Sequence, residues 1–196
     1  MKKILFPLLS VLLIAVVLFG AAMALRGVAA ANAQKEHIRL MQTVLPGSES
    51  FTLEPYAGED ANIRSVHKGE GGFVVQTCTY GYAGEISMLI GVSNEGKVTG
   101  LVVLDMSETL GLGANALTDY EFLAQFLNTN GDVAIQTGAA DAFSGATGTT
   151  VSGDSTYVDG ITGATVTSKA VARSVNSAVA YVTGADVDSG ATSWGG

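Results

Sequence analysis

Between Lys3 and Arg26 the chain carries no charge, and Ile4 to Leu25 reads ILFPLLSVLLIAVVLFGAAMAL. Those 22 residues would form a helix of roughly 33 Å, enough to cross a bilayer core. Residues 1–26 are therefore predicted to be a short tail and a retained transmembrane helix. A cleaved signal peptide is the competing reading, because Ala31-Asn32-Ala33 has a small-x-small form. Signal peptides have shorter apolar runs, about 7–15 residues, placed just before the cut. From Gly27 to Gly47 the chain is rich in Ala, Gln, Lys and Leu, and Pro46-Gly47 ends that stretch. Such residues favour helix and such an ending stops one. A stalk helix over 27–47 is expected to continue the span, with a flexible linker as the alternative.

The pattern then changes to runs of β-branched residues. Phe73–Tyr80, Glu85–Ser93 and Lys97–Met106 read as strands. Gly81-Tyr82-Ala83-Gly84 and Asn94-Glu95-Gly96 supply the connecting turns, which predicts an antiparallel meander. Thr118, with Glu121 three residues on, has the form of a capping box. It predicts a helix through YEFLAQFLN, with Phe122, Leu123 and Phe126 as its apolar stripe. Val171, Val175, Ala178, Val179 and Val182 recur at helical spacing and predict a second helix from about Ser168 to Val182. Thr137 to Ser155 is rich in Gly, Ala, Ser and Thr, without period, and reads as a loop. Residues 185–196 read as a frayed tail. Strands followed by helices give an α+β domain: an N-terminal transmembrane helix, then a domain at 48–184 with an antiparallel sheet flanked by helices.

Charge narrows the function. The net charge is −8, and a nucleic-acid partner would need a basic footprint. Cys78 is the single cysteine, so no internal disulfide forms. His37 and His67 are the only imidazoles and lie far apart, so no metal site is expected. Lys2 and Lys3 precede the span; Arg26, Lys35 and Arg39 follow it. That count does not decide orientation, but a short tail is easily kept inside. A single-pass topology is predicted, with the N-terminus cytoplasmic, the domain extracytoplasmic and membrane lipid around the span.

The chemistry sits in DGITGATVTSKAV, Asp159 to Val171. Its hydroxyls lie where a helix begins, and a helix N-terminus offers free N–H groups and partial positive charge to a phosphate. Gly163 and Ala164 allow a bulky group to approach the backbone, and Thr165 presents a hydroxyl for a phosphate ester. Ordinary N-capping by Thr167 or Ser168 explains the same residues with no ligand.

This stretch resembles the acceptor motif of covalently flavinylated proteins, Asp-x-x-Ser/Thr-Gly-Ala-Thr, matched here by Asp159, Thr162, Gly163, Ala164 and Thr165. The strand pair and the following ETLGLG also resemble that family's Glu-Thr-Pro-Gly-Leu-Gly loop. Glu108, Thr109, Gly111, Leu112 and Gly113 match it, while Leu110 stands at the usual Pro. Anchor, strands, loop and acceptor in this order resemble the G subunits of the Rnf ion-translocating electron-transport complex. A related family is the C subunit of the sodium-pumping quinone reductase. The resemblance implies covalent FMN on Thr165, in a site with Thr162, Gly163, Ala164, Val166, Thr167 and Asp159, and with the loop Glu108 to Gly113 placed against the flavin.

DAFSGAT, ending at Thr147, fits the same pattern. It makes Thr147 a second candidate acceptor, but the residues after it do not start a helix. Threonine does not react unaided, and no His or Cys lies near to activate it. The resemblance implies attachment by a separate metal-dependent flavin transferase. It also implies electron relay from ferredoxin towards NAD, coupled to Na⁺ or H⁺ movement, with the ion path in partner subunits because this span has no ionisable residue. A standalone flavinylated extracytoplasmic module is the alternative, distinguished by the genes beside it. A pilin-like surface protein is disfavoured, because pilins carry a Glu early in the helix and this span has none.

Overall fold

The computed structural model describes residues 2–136, 150–152 and 155–185. The long apolar run forms α1, one helix over Lys2–Val44. Within it, Leu12–Val44 is long and apolar enough to cross a membrane. Leu12, Leu13 and Phe19 are 61%, 67% and 68% exposed, as side chains meant for lipid rather than for a protein core would be. The chain divides into two compact units between Arg39 and Leu40.

In the second unit, a five-stranded antiparallel sheet runs in the order β1 (Thr52–Glu54), β2 (Ile63–Lys68), β3 (Gly72–Tyr80), β4 (Glu85–Ser93) and β5 (Val98–Met106). The predicted meander is β3 to β5. In β3–β4, Phe73 pairs with Val92 and Tyr80 with Glu85. In the turn between β4 and β5, Gly96 at φ 79° donates its N–H to Ser93 O at 2.9 Å, a left-handed position that suits glycine.

After β5 come α2 (Gly113–Thr118) and α3 (Tyr120–Ala124). The expected helix start is present, but its cap is one residue later than the sequence suggested. Asp119 is the N-cap of α3, accepting from the N–H groups of Glu121 (2.9 Å) and Phe122 (3.2 Å). Thr118 instead donates to the carbonyls of Ala114 and Asn115, both at 3.1 Å. Its backbone is still inside α2, so it cannot adopt the extended cap conformation. Losing such a cap costs about 1 kcal/mol, so Asp119→Ala is expected to lower the melting temperature by roughly 2–4 °C for a domain of this size. A larger drop in Thr118→Ala would return the cap to Thr118.

A second sheet, in the order β6–β8–β7, is made by β6 (Val133–Gln136), β7 (Thr150–Ser152) and β8 (Ser155–Asp159). The expectation of a loop throughout Thr137 to Ser155 is thus corrected at 150–152 and at Ser155. Three residues in a Gly- and Thr-rich stretch show no alternation, and the strand exists because β8 pairs with it, Val151 against Thr156. β8 runs parallel to β6, Val133 against Thr156.

The last helix, α4, covers Thr165–Thr183 and ends at Gly184 in the left-handed region. It begins about one turn earlier than the apolar stripe alone suggested. Val171, Val175, Ala178 and Val179 are buried as expected, while Val182 is half-buried. They pack on the sheet face carrying Val75, Met88 and Ile90. Thr79 of β3 hydrogen-bonds to Ala170 O (3.2 Å) and Ser174 Oγ (2.9 Å), so the buried hydroxyls of Thr79 and Ser174 satisfy one another across this interface. The opposite sheet face is covered by the end of α1 and the residue after it: Met41, Val44 and Leu45 pack with Val74 and Leu89.

Candidate cofactor-binding site

Asp159 closes β8, and its backbone N–H and C=O bond to the Gln125 side chain at 3.0 and 3.4 Å. The chain then turns: Ala164 N–H donates to Ile161 O at 2.9 Å. Gly163 sits within this turn at φ 82°, a conformation glycine adopts without strain. Thr162 and Gly163 are exposed. Ser168 braces the turn from inside α4, donating to Ala164 O (3.0 Å) and accepting from Ile161 N–H (3.2 Å).

The side-chain cap that would have explained this motif is absent. The N-cap residue is Ala164, and no side chain caps the helix. Thr165 is the first residue of α4 and Val166 the second, both half-buried, while Thr167 is fully buried. The first N–H groups of α4 lack intrahelical partners, so an anion here would meet free donors and the positive end of a 19-residue helix.

The loop after β5 reaches the same place. Ser107 N–H donates to Glu85 O at 2.9 Å, and Thr109 O accepts from Leu112 and Ala114 at 3.3 and 3.1 Å. Gly111 has φ 84°. Leu110 is 88% exposed and Leu112 50%, whereas Gly113 is buried. A Cβ on Gly163 would lie 3.4 Å from Leu112 Cδ2. A Cβ on Gly113 would lie 2.7 Å from Thr167 Oγ1. Glu108, Leu112 and Gly113 are therefore brought against Gly163 and Thr167, joining the two motifs. Thr109 is exposed, and its backbone carbonyl is what shapes the loop. Thr147 lies outside the described residues.

Two residues that sequence reasoning passed over belong here. Gly81 faces the Glu108 carboxylate so closely that a Cβ would overlap Oε1, and Ala83 N–H donates to the same oxygen at 3.4 Å. The GYAG turn read only as a connector; its glycine is a slot for Glu108. Beside it, the Tyr80 phenol is pushed above its ordinary range by its 2.7 Å hydrogen bond to Glu85 and by that carboxylate's charge. Among the described residues no group of His, Cys, Asp and Glu could hold a metal ion. A separate groove of about 880 Å³ runs along β5, lined by Leu101, Val103, Met106, Leu117 and Leu123 among others. It includes none of residues 108–113 or 159–167.

Residues 81–180 match the model of the FMN-binding domain family, described as "FMN-binding domain", and the chain belongs to that family. It is similar to the G subunit of the Na(+)-translocating ferredoxin:NAD(+) oxidoreductase complex of Acetobacterium woodii, 38% identical over 109 residues. It is 36% identical over 111 residues to the G subunit of the proton-translocating ferredoxin:NAD(+) oxidoreductase complex of Clostridium ljungdahlii. These matches cover 55% and 57% of this chain. It spans 47% and 53% of those relatives, about half their length. To the G subunit of the ion-translocating oxidoreductase complex of Methanosarcina acetivorans it is 34% identical over 164 residues, 78% of this chain and 76% of that one.

Proposed function

We propose that this chain is a membrane-anchored flavoprotein subunit that carries FMN covalently on Thr165. In this reading it relays electrons within an ion-translocating ferredoxin:NAD oxidoreductase complex, from the outer face of the membrane. The observation that carries the reading is the uncapped N-terminus of α4, with Thr165 as its first residue and Gly163 in the left-handed turn before it. These residues fit a phosphate ester: an accessible hydroxyl, free N–H donors and an open backbone approach. Thr165 would hold the phosphate. Thr162, Gly163, Ala164 and Val166 would frame it, and the Glu108–Gly113 loop would border the flavin from the other side. FMN, when bound, supplies the reversible electron uptake and release.

Attachment needs an external flavin transferase. The transfer forms a bond from Thr165 Oγ to phosphorus, breaks the pyrophosphate bond of FAD and releases AMP; the hydroxyl proton leaves to a base of the transferase. Partner subunits carry the ion path and neighbouring redox centres. Co-expression of the full chain with a flavin transferase tests the reading. Intact mass should rise by one FMN less one water, and a flavin band should survive a denaturing gel. A chain that keeps its unmodified mass in the presence of active transferase refutes the covalent reading.

Topology has its own test. A cysteine at exposed Ala185, in a Cys78→Ser background, is expected to react with a membrane-impermeant thiol reagent in intact cells, with any outer envelope made permeable. Reaction only after the inner membrane is lysed would place the domain on the cytoplasmic side and remove the proposed electron route.

A further inference from the structure

Two side-chain amides in this domain bond to both backbone groups of a single strand residue. Gln125, the residue that ends α3, accepts from Asp159 N–H at 3.0 Å and donates to Asp159 O at 3.4 Å. Asn176 of α4 accepts from Val133 N–H at 2.9 Å and donates to Val133 O at 3.0 Å. An amide side chain offers an acceptor and a donor side by side, so each of these makes a rung like that of a neighbouring strand. The two rungs sit at opposite ends of the β6–β8 pair, whose register runs from Val133–Thr156 to Gln136–Asp159. Asn176 holds the start of β6, and Gln125 holds the end of β8.

The end of β8 is also where the acceptor turn begins. Five residues, two of them glycine, separate Asp159 from Thr165, so the turn has little stiffness of its own. Its far side is braced by Ser168, which bonds to Ile161 N–H and Ala164 O. Its near side is fixed by Gly160 N–H on Gln136 O at 3.0 Å and by the Gln125 rung. Gln125 is itself firmly mounted. Phe126, the next residue, is fully buried and meets Phe122 edge-on at 5.3 Å. Both rings belong to the same core cluster as Val171 and Val175 of α4. The entry to the turn is thereby tied to the core on which α4 rests.

We propose that Gln125 is a positioning residue for flavin attachment: its amide fixes the backbone at Asp159, and so the direction in which the turn presents the Thr165 hydroxyl. The inference rests on Thr165 being the acceptor. Gln125 acts through the backbone of Asp159 and does not meet the phosphorus. Asn176 supplies the comparison, because its rung has the same chemistry but holds the far end of the same strand pair.

The test is the kinetics with which purified flavin transferase and FAD modify the full chain in detergent, read by intact mass below the melting temperature of every variant. Gln125→Met keeps the length of the side chain and removes donor and acceptor. It is expected to lower kcat about tenfold, equivalent to about 1.4 kcal/mol, with KM for the chain within about twofold of wild type, because the motif the transferase reads is intact. Gln125→Asn, an amide one methylene too short to reach Asp159, carries the same expectation and serves if Gln125→Met does not fold. Asn176→Leu is expected to lower the melting temperature and leave kcat near wild type. Wild-type kcat in the Gln125 variants overturns the proposal and leaves Thr165 as acceptor. A loss confined to KM also overturns it, since Gln125 would then serve recognition by the transferase. An equal loss of kcat in Asn176→Leu overturns it too, because general loosening of the β6–β8 pair would explain both. A wild-type chain that takes flavin elsewhere than Thr165 sinks the underlying reading instead.

Discussion

Replacing Thr165 by valine is expected to abolish the covalent flavin completely, with the domain still folded. Valine has the shape of threonine but no oxygen to join phosphorus. Position 165 is the first residue of α4 and only partly buried, so the fold should lose little; a melting temperature within about 2 °C of wild type would mark a change below roughly 1 kcal/mol. Thr165→Ser keeps a hydroxyl and should take flavin, more slowly if rotamer freedom matters. Thr147→Val is the discriminating control. Thr150–Ser152 forms the strand β7. The Gly and β-branched residues that follow Thr147 in the sequence do not favour a helix start, whereas α4 begins directly after Ala164. In-gel fluorescence should therefore be lost in Thr165→Val and unchanged in Thr147→Val. The opposite pattern would move the attachment point to the upstream copy.

What was legible in the sequence follows from where the causes lie. β4 matches the expected Glu85–Ser93 run, because its turns and β-branched residues are local signals. β2 was missed for a local reason too: a register shift between Ile63 and Ser65 breaks the two-residue period, and the buried residues Ile63 and Val66 fall three apart. The second sheet was invisible for a different reason. β6 and β8 are short and parallel, joined by pairing across a long stretch of chain, which no periodicity reports. In the site, both motifs were readable one at a time. Their meeting came from resemblance and not from spacing, since Leu112 beside Gly163 and Thr167 beside Gly113 are tertiary contacts. The Gly81 slot was unreadable on the same grounds: a glycine in a turn looks alike whether or not a carboxylate from a distant loop fills the space beside it.

A second large effect is expected on the sheet face opposite α4, where the end of α1 meets the sheet. Val44 lies on Gly91 of β4 and Gly100 of β5, which pair with each other in the ladder. A Cβ at Gly100 would come within 2.7 Å of Val44 Cα and 2.8 Å of its carbonyl oxygen, and one at Gly91 would overlap that oxygen. These obstacles are backbone atoms, which cannot swing aside as a flexible side chain would. The same carbonyl accepts a 2.6 Å hydrogen bond from Thr99 Oγ1, and Val44 is fully buried with Met41, Leu45, Val74 and Leu89. Adding a methyl at either glycine must lift this turn off the sheet, loosening the hydrogen bond and the apolar cluster together. Gly91→Ala and Gly100→Ala are each expected to cost about 2–3 kcal/mol, the upper part of the overpacking range. Both should lower the melting temperature by roughly 4–12 °C. Gly71→Ala is the control, because its Cβ would meet only Ser48 Oγ at 3.7 Å and should change little. The effect should be in stability and not in flavin chemistry, with Thr165 still modified at low temperature. Melting temperatures of Gly91→Ala and Gly100→Ala no lower than that of Gly71→Ala would show that Val44 does not rest on these glycines.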